Sequence, residues 1–511
     1  MFYRRHKKEI DLILLFAGLK LLLHLLANSR FGFHRDELLY LALGQHLDWG
    51  YKEVPPFISA ISWFTDTIFG DSVFATRLLP SMASASIILL TGLIVLALNG
   101  KRQAITVTCV AMVFSPAFLA SGYLLQPVVF DQLFWVGTTY LLIKYIQTHK
   151  VKYCYWLGIV AGLGMLNKYT MALFLLALFL GLLLTPQRKM LWSKHWLTAF
   201  LLGFIIFLPN LVWQFANGLP VVQHMRELKE TQLNFIHPTE FILQNFLVHA
   251  TVGIIPLAGL IYILVTRRNH RFRFIGFSFI FVVLSLLLMQ GKVYYGFGAF
   301  PMLFACGGLA FQTIARGISL NLLKPAMVLI AIPCIVLVPV AIPVLPINTT
   351  LYFLDLTLNK TGIDFPLKWE DQQLHATTQD YADMFGWQEM AEYSAKAYQI
   401  IPQHERNQVT IFADNYGQAG AVDHLGKPYG IPKTVCLNSS FALWAPDSIK
   451  TNHLIYIDND ISELVPLFKE VKTIGEVRNP LAREKGTKVY LLSYPLDDIN
   501  KLYLEELQAA R

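Results

Sequence analysis

Apolar runs of 18 or more residues recur along most of the chain, parted by short links in which lysine and arginine concentrate. Runs of that length predict helices that cross a bilayer. Reading each run as one span predicts crossings near 10–28, 77–98, 104–124, 128–147, 154–166, 169–185, 196–215, 240–265, 273–289, 299–315 and 325–345, eleven in all. Only "NKYT" at 167–170 separates the fifth from the sixth. The first run is longer than the apolar segment of a signal peptide and no small-x-small cleavage site follows it, so it reads as a retained helix.

From about residue 350 the pattern changes. "VTIFAD" at 409–414, "HLIYID" at 453–458 and "KVYLLSY" at 488–494 read as strands, and "DYADMFGWQEMAEYSAKAYQ" at 380–399 reads as helix. The predicted fold class is a polytopic α-helical membrane protein with a small C-terminal α/β domain. The membrane domain covers 1–348 and the α/β domain 349–511.

Composition agrees. Only 15% of the residues are charged and the mean hydropathy is +0.47, whereas a soluble protein carries roughly 25% charge. The formal net charge of +8 comes largely from "RRHKK" at 4–8, "NGKRQ" at 99–103, "HKVK" at 149–152, "PQRKMLWSK" at 186–194 and "RRNHRFR" at 267–273. Short basic loops mark the cytoplasmic side. The excess therefore reports topology and calls for no nucleic acid. It predicts a cytoplasmic N-terminus and, after an odd number of crossings, an α/β domain on the outer face. The five cysteines form no CxxC, which argues against a disulfide framework or a zinc site.

The outward links are unequal. Residues 29–76 and 217–239 are long, and those near 122–131, 166–169 and 290–298 are short. Polar groups from all five can converge on one cavity at the outer membrane boundary. "FHRDELLYLALGQHLDWGYKEVPP" at 33–56 is crowded with ionisable residues directly after a spanning run. Asp36 and Glu37 read as a general base and its neighbour, or as the acidic first turn of an interfacial helix. Glu53 precedes two prolines that fix the chain, so it can bind a divalent cation or be an ordinary loop charge.

Asp131, in "LLQPVVFDQLFW", has bulky apolar neighbours and no local cation, which marks a site or a helix cap. Lys168 and Lys292 are predicted on the outer side, against the positive-inside tendency. A lipid-linked phosphate would satisfy both, and snorkelling to headgroups would satisfy either alone. Tyr294 and Tyr295 read as an aromatic belt or a sugar-stacking pair. His224 and His237 lie in the second long link, where a solvated side chain is the ordinary outcome. His24 and His249 read as bonding neighbouring helices.

Taken in order, "FHRDELLYLALGQHLDWGYKEVPPFISAISWFTDTIFGDSVFATRLLPSMASA", "LLQPVVFDQLFW", "GLGMLNKYTMALF", "FLPNLVWQ" and "GKVYYGFGAFPML" resemble the bacterial family 39 glycosyltransferases. These belong to the GT-C superfamily, are similar to dolichyl-phosphate-mannose protein mannosyltransferases, and are related to the lipid A aminoarabinose transferases. "NYGQAGAVDHLG" at 415–426 also resembles a stretch of that group's exported domain.

The resemblance implies an inverting transfer from a polyprenyl-phosphate-linked sugar to a glycolipid or protein acceptor at the periplasmic face. It implies Asp36 as catalytic base and Asp131 as a second cavity acid. It places Lys168, Lys292 and Tyr295 at the donor phosphate, and Glu37, Tyr40, Gln132 and Tyr294 around the substrate cavity. It makes Glu53, with His237, the candidate ligands of a divalent metal ion. Leu39 and Val54 stand where the aminoarabinose transferases tend to carry Arg and Lys, so two positive charges near the donor are missing. The alternative of another class is a lipid or solute transporter whose acids couple ions, which predicts charges near the bilayer midplane and paired broken helices. A glycan-binding module on a membrane anchor would not need eleven crossings.

Overall fold

The computed structural model describes residues 6–231, 238–315, 320–360 and 362–511. Each predicted crossing corresponds to helix. Among the described residues, five helices are long and apolar enough to span a bilayer: Lys7–Ala27, Val73–Ala97, Lys194–Ala216, His270–Leu288 and Val293–Ile314. The number rises to seven if Thr170–Leu183 with Pro186–Trp192, and Pro238–Leu247 with Ala250–Val265, each count as one bent span. The chain is a multi-pass membrane protein. By length and composition alone it shows fewer spans than the eleven expected.

Two predicted spans are broken, and the breaks satisfy one another. The run 104–124 divides into Arg102–Phe114 and Pro116–Ala120, because Pro116 supplies no N–H to continue the ladder. The run 240–265 turns by 104° between Leu247 and Ala250. At the junction the Ala117 N–H donates to the Val248 carbonyl at 3.0 Å, and the Ser115 hydroxyl meets His249 Nδ1 at 2.7 Å. Lys20, buried on the first helix, donates to the carbonyls of Val113 and Phe118 at 3.3 and 3.0 Å. Irregular backbone among apolar helices survives where such partners replace water. His249 thus bonds a neighbouring segment as expected, whereas His24 sets its ring edge against Tyr123.

The described residues form two compact units. One comprises 1–28, 54–58 and 77–346, and the other 29–53, 59–76 and 347–511. In the first, helices Val151–Asn167 and Lys194–Ala216 approach closely at Gly158. A Cβ there would lie 2.2 Å from the Ala199 carbonyl oxygen, so only hydrogen fits, as in other small-residue helix contacts within membranes.

The second unit holds a five-stranded sheet in the order β2-β1-β3-β5-β4. β1 (Val409–Ala413) lies parallel to β2 (Thr434–Val435) and β3 (His453–Asp458), while β5 (Lys488–Pro495) runs antiparallel to β3 and to β4 (Phe468–Glu476). The three predicted strands are β1, β3 and β5. The predicted helix at 380–399 divides into Gln379–Ala382 and Trp387–Ile400 because Gly386 adopts φ +88° between them. The segments 29–53 and 59–76 group with this sheet-bearing unit.

Substituting Gly158→Leu should lower the thermal unfolding midpoint of the detergent-solubilised chain, since overpacking a tight contact costs about 1–3 kcal/mol. An unchanged midpoint would contradict the close approach described.

Candidate functional site

In the helical unit the site begins where Pro127 opens the helix Pro127–Thr148, its missing N–H costing nothing in the first turn. Asp131 follows one turn later, 3% exposed. It does not cap the helix. Its Oδ1 accepts from Trp135 Nε1 at 2.9 Å and its Oδ2 from the Thr170 hydroxyl at 2.7 Å. Trp135 sits four residues on, hence on the same helix face, and is held by stacking on Phe174 at 4.2 Å. Gln132 turns elsewhere and donates to the Ser121 hydroxyl at 2.9 Å.

Lys168 occupies the extended break between Val151–Asn167 and Thr170–Leu183. Asn167 Nδ2 donates to the Pro127 carbonyl at 3.0 Å, which ties this break to the start of the Asp131 helix. The Lys168 ammonium lies 4.9 Å from the Tyr294 ring centre and 4.8 Å from that of Tyr295, within cation–π range. Lys292 stands extended just before the short turn Val293–Ala299. Lys168 feels both the attraction of Asp131 and the repulsion of Lys292. Two ammonium groups, one buried carboxylate and two aromatic faces therefore gather from three separate stretches of sequence. Two cations of this kind suit an anion with several oxygens, such as a phosphate.

The sheet-bearing unit holds the second group. Helix Arg35–Gln45 starts with a capping box: His34 Nδ1 accepts from the Asp36 N–H at 3.1 Å, and Glu37 Oε2 accepts from the His34 N–H at 2.9 Å. Glu37 is fully buried in that role, and Tyr40 is buried one turn further on. Asp36 Oδ1 accepts from the Tyr416 hydroxyl at 2.9 Å, and the Arg35 guanidinium lies 4.6 Å from the centre of the Tyr416 ring. With Nδ1 accepting, a neutral His34 carries its proton on Nε2, which faces Asp380 and Asp383 at 3.9 Å each.

Asp383 is buried and paired to Arg483 Nη1 at 3.2 Å. Burial holds its carboxyl above the usual range, against the pull of His34, Arg483 and Arg35. Burial, and then the charge of Asp36, push the Tyr416 phenol well above its ordinary value.

The metal expectation meets a different arrangement. Glu53 Oε1 accepts from the Ser440 N–H at 2.6 Å, and its Oε2 accepts from the Ser440 hydroxyl. Both carboxylate oxygens thus accept from Ser440, with further lone pairs remaining on each. His237 lies outside the described residues. Among the described residues no group of three or more His, Cys, Asp or Glu is placed to hold a metal ion.

Sequence reasoning missed Trp135, Thr170, Tyr416, Asp383 and Arg483. For Trp135 the signal was its spacing from Asp131, and for Tyr416 the stretch at 415–426. Nothing local marks Arg483.

Comparison with known proteins agrees with the resemblance seen in the sequence. Residues 53–213 match the family described as dolichyl-phosphate-mannose-protein mannosyltransferase. The lipid A galacturonosyltransferase RgtD of Rhizobium johnstonii is 24% identical over 249 residues, which are 46% of this chain and 50% of that protein. The chain thus spans about half the length of the curated relative it matches. ArnT from Cupriavidus metallidurans, in a crystal structure bound to undecaprenyl phosphate, superposes with a TM-score of 0.58 at 12% identity, covering 93% of this chain and 97% of that one. The oligosaccharyltransferase AglB from Archaeoglobus fulgidus, in complex with an inhibitory peptide and a dolichol-phosphate, gives 0.52 at 11%, covering 89% and 70%. In sequence and in fold the chain resembles the GT-C glycosyltransferases.

Arg483→Met would leave the buried Asp383 carboxylate short of its cation. The loss should be about 1–3 kcal/mol of stability at neutral pH, read as a drop in the unfolding midpoint. Because burial raises the Asp383 pKa in the folded state and losing Arg483 raises it further, protonation relieves the defect. The difference from the unaltered chain should therefore shrink as pH falls towards 5, and a constant or growing difference would contradict the pairing.

Proposed function

We propose that this chain, similar to the GT-C glycosyltransferases, is an inverting glycosyltransferase acting at the periplasmic face of a bacterial inner membrane. It moves a sugar from a polyprenyl-phosphate donor to an envelope acceptor, a glycolipid such as lipid A or a protein hydroxyl. The observation that carries this is the Lys168–Lys292 pair beside Asp131 and the two tyrosine rings. Lysines at two helix ends beside a buried carboxylate suit a phosphate, and the solved relatives were captured with undecaprenyl phosphate and dolichol-phosphate. The short basic loops support a cytoplasmic N-terminus, eleven crossings and a periplasmic sheet-bearing domain.

Lys168 and Lys292 receive the donor phosphate, with Tyr295 and Tyr294 holding the Lys168 ammonium and flanking the sugar. Asp36 takes the proton from the acceptor hydroxyl, and that oxygen attacks the anomeric carbon from the face opposite the phosphate. The bond from the anomeric carbon to the phosphate oxygen breaks, and its electron pair leaves with polyprenyl phosphate. The two ammonium groups stabilise that charge, so the leaving group needs no proton. Asp131 keeps Lys168 in place through its charge while Trp135 and Thr170 fix the carboxylate. A divalent ion at Glu53 would use the lone pairs that the Ser440 contacts leave on its carboxylate.

The transporter reading draws on the two bent helix pairs. Against it, Asp131, Lys168 and Lys292 stand at or near helix ends, where surface chemistry is done. The discriminating assay incubates purified protein with undecaprenyl phosphate carrying labelled galacturonic acid, mannose or aminoarabinose, and lipid A vesicles as acceptor. Released undecaprenyl phosphate and labelled acceptor support the enzyme, whereas uptake of intact donor into proteoliposomes supports the transporter. Asp36→Asn should abolish the release while leaving a folded protein. Full activity in that variant would remove Asp36 from the role of base.

A further inference from the structure

The stretch "NYGQAGAVDHLG" at 415–426 has no part in the mechanism above, yet it is built with unusual definition. Asn415 caps the helix Tyr416–Leu425 by accepting from the N–H groups of Gly417 and Gln418 at 3.0 and 3.2 Å. Asn415 and Gln418 also donate to Glu484 at 3.4 and 2.9 Å, which fixes the cap to the body of the unit. The helix then lies against Arg35–Gln45 at Gly420. A Cβ at that position would fall 2.9 Å from both Leu38 Cβ and the Leu38 carbonyl oxygen. Only that close approach lets the first residue of one helix reach the second residue of the other, so that the Tyr416 hydroxyl meets Asp36 Oδ1 at 2.9 Å.

From this geometry we infer that Tyr416 is a positioning residue for the transfer: its hydroxyl aims the Asp36 carboxylate and keeps it ionised to receive the acceptor proton. The inference rests on Asp36 being the base. A hydrogen bond donated to the charged form of an acid favours that form. Tyr416 can hold this role across the working pH range because its own phenol is pushed well above the ordinary value, by burial and then by the Asp36 charge. The other charged groups around Asp36 are Arg35 and His34 from its own turn, Asp380 and Asp383 from the segment packed on it, and Arg483 facing Tyr416. Tyr416 touches the carboxylate directly without carrying a charge.

The test is the pH dependence of kcat for release of undecaprenyl phosphate by the full chain in proteoliposomes, with lipid A vesicles as acceptor. Tyr416→Phe should lower kcat about tenfold and move the acid limb of the profile up by about one pH unit, as expected for losing a hydrogen bond to a charged group. The donor KM should stay unchanged. Introducing 3-fluorotyrosine at 416, a stronger donor of the same shape, should move the acid limb down. Loosened packing alone would produce neither shift, and still less two of opposite sign. If the Phe variant does not fold, the fluorotyrosine protein decides alone. An unmoved acid limb in the substituted proteins, with Asp36→Asn inactive, overturns the positioning role and leaves the base assignment standing. A fully active Asp36→Asn overturns the base assignment itself.

Discussion

An ionised group set among apolar helices must find its counterpart inside the chain, because no water is there to supply one. In the helical unit this constraint is answered at Asp131. Two side-chain donors fix its carboxylate, and a lysine within electrostatic range balances its charge. The tie of Asn167 to the Pro127 carbonyl and the stack of Trp135 on Phe174 exist in service of that arrangement. The same rule explains the two broken helices, whose breaks bond each other.

One lysine would be spent neutralising one aspartate. The tyrosine rings stabilise the Lys168 ammonium without neutralising it. Lys292 bears on the same ammonium, and a phosphate is the ligand proposed for the two lysines. In the sheet-bearing unit the logic is inverted. Asp36 sits near Asp380 and Asp383, and Arg35, His34 and Arg483 offset them. There the carboxylate, not the cation, is the group kept ready.

Much of this was legible in the sequence, for identifiable reasons. Spanning helices announce themselves by uninterrupted apolar length, and Asp131, Lys168 and Lys292 stood out because charge in such surroundings is rare. The breaks at Ser115 and Val248 were not visible, since both sides of each remain apolar and the partners that permit them lie over a hundred residues apart. β4 escaped notice because it is a mostly exposed edge strand whose "FKEVKTIGE" carries charges in place of an apolar alternation, as edge strands do to discourage pairing. Glu37 reads as a cavity acid or the acidic first turn of a helix, and Glu53 as a metal ligand or a loop charge, because a sequence does not show which neighbour a carboxylate grips. The stretch around Tyr416 stood out, but its pairing with Asp36 was beyond reach, since the two lie 380 residues apart.

The central claim is that the Lys168–Lys292 pair is a seat for a lipid-linked phosphate, and binding tests it more directly than turnover. Native mass spectrometry of the purified chain titrated with undecaprenyl phosphate should show one lipid retained per protein. The Lys168→Met, Lys292→Met double variant should need at least about tenfold more lipid for the same occupancy, as loss of charge-assisted contacts to phosphate implies. Equal retention by the folded double variant would contradict the account.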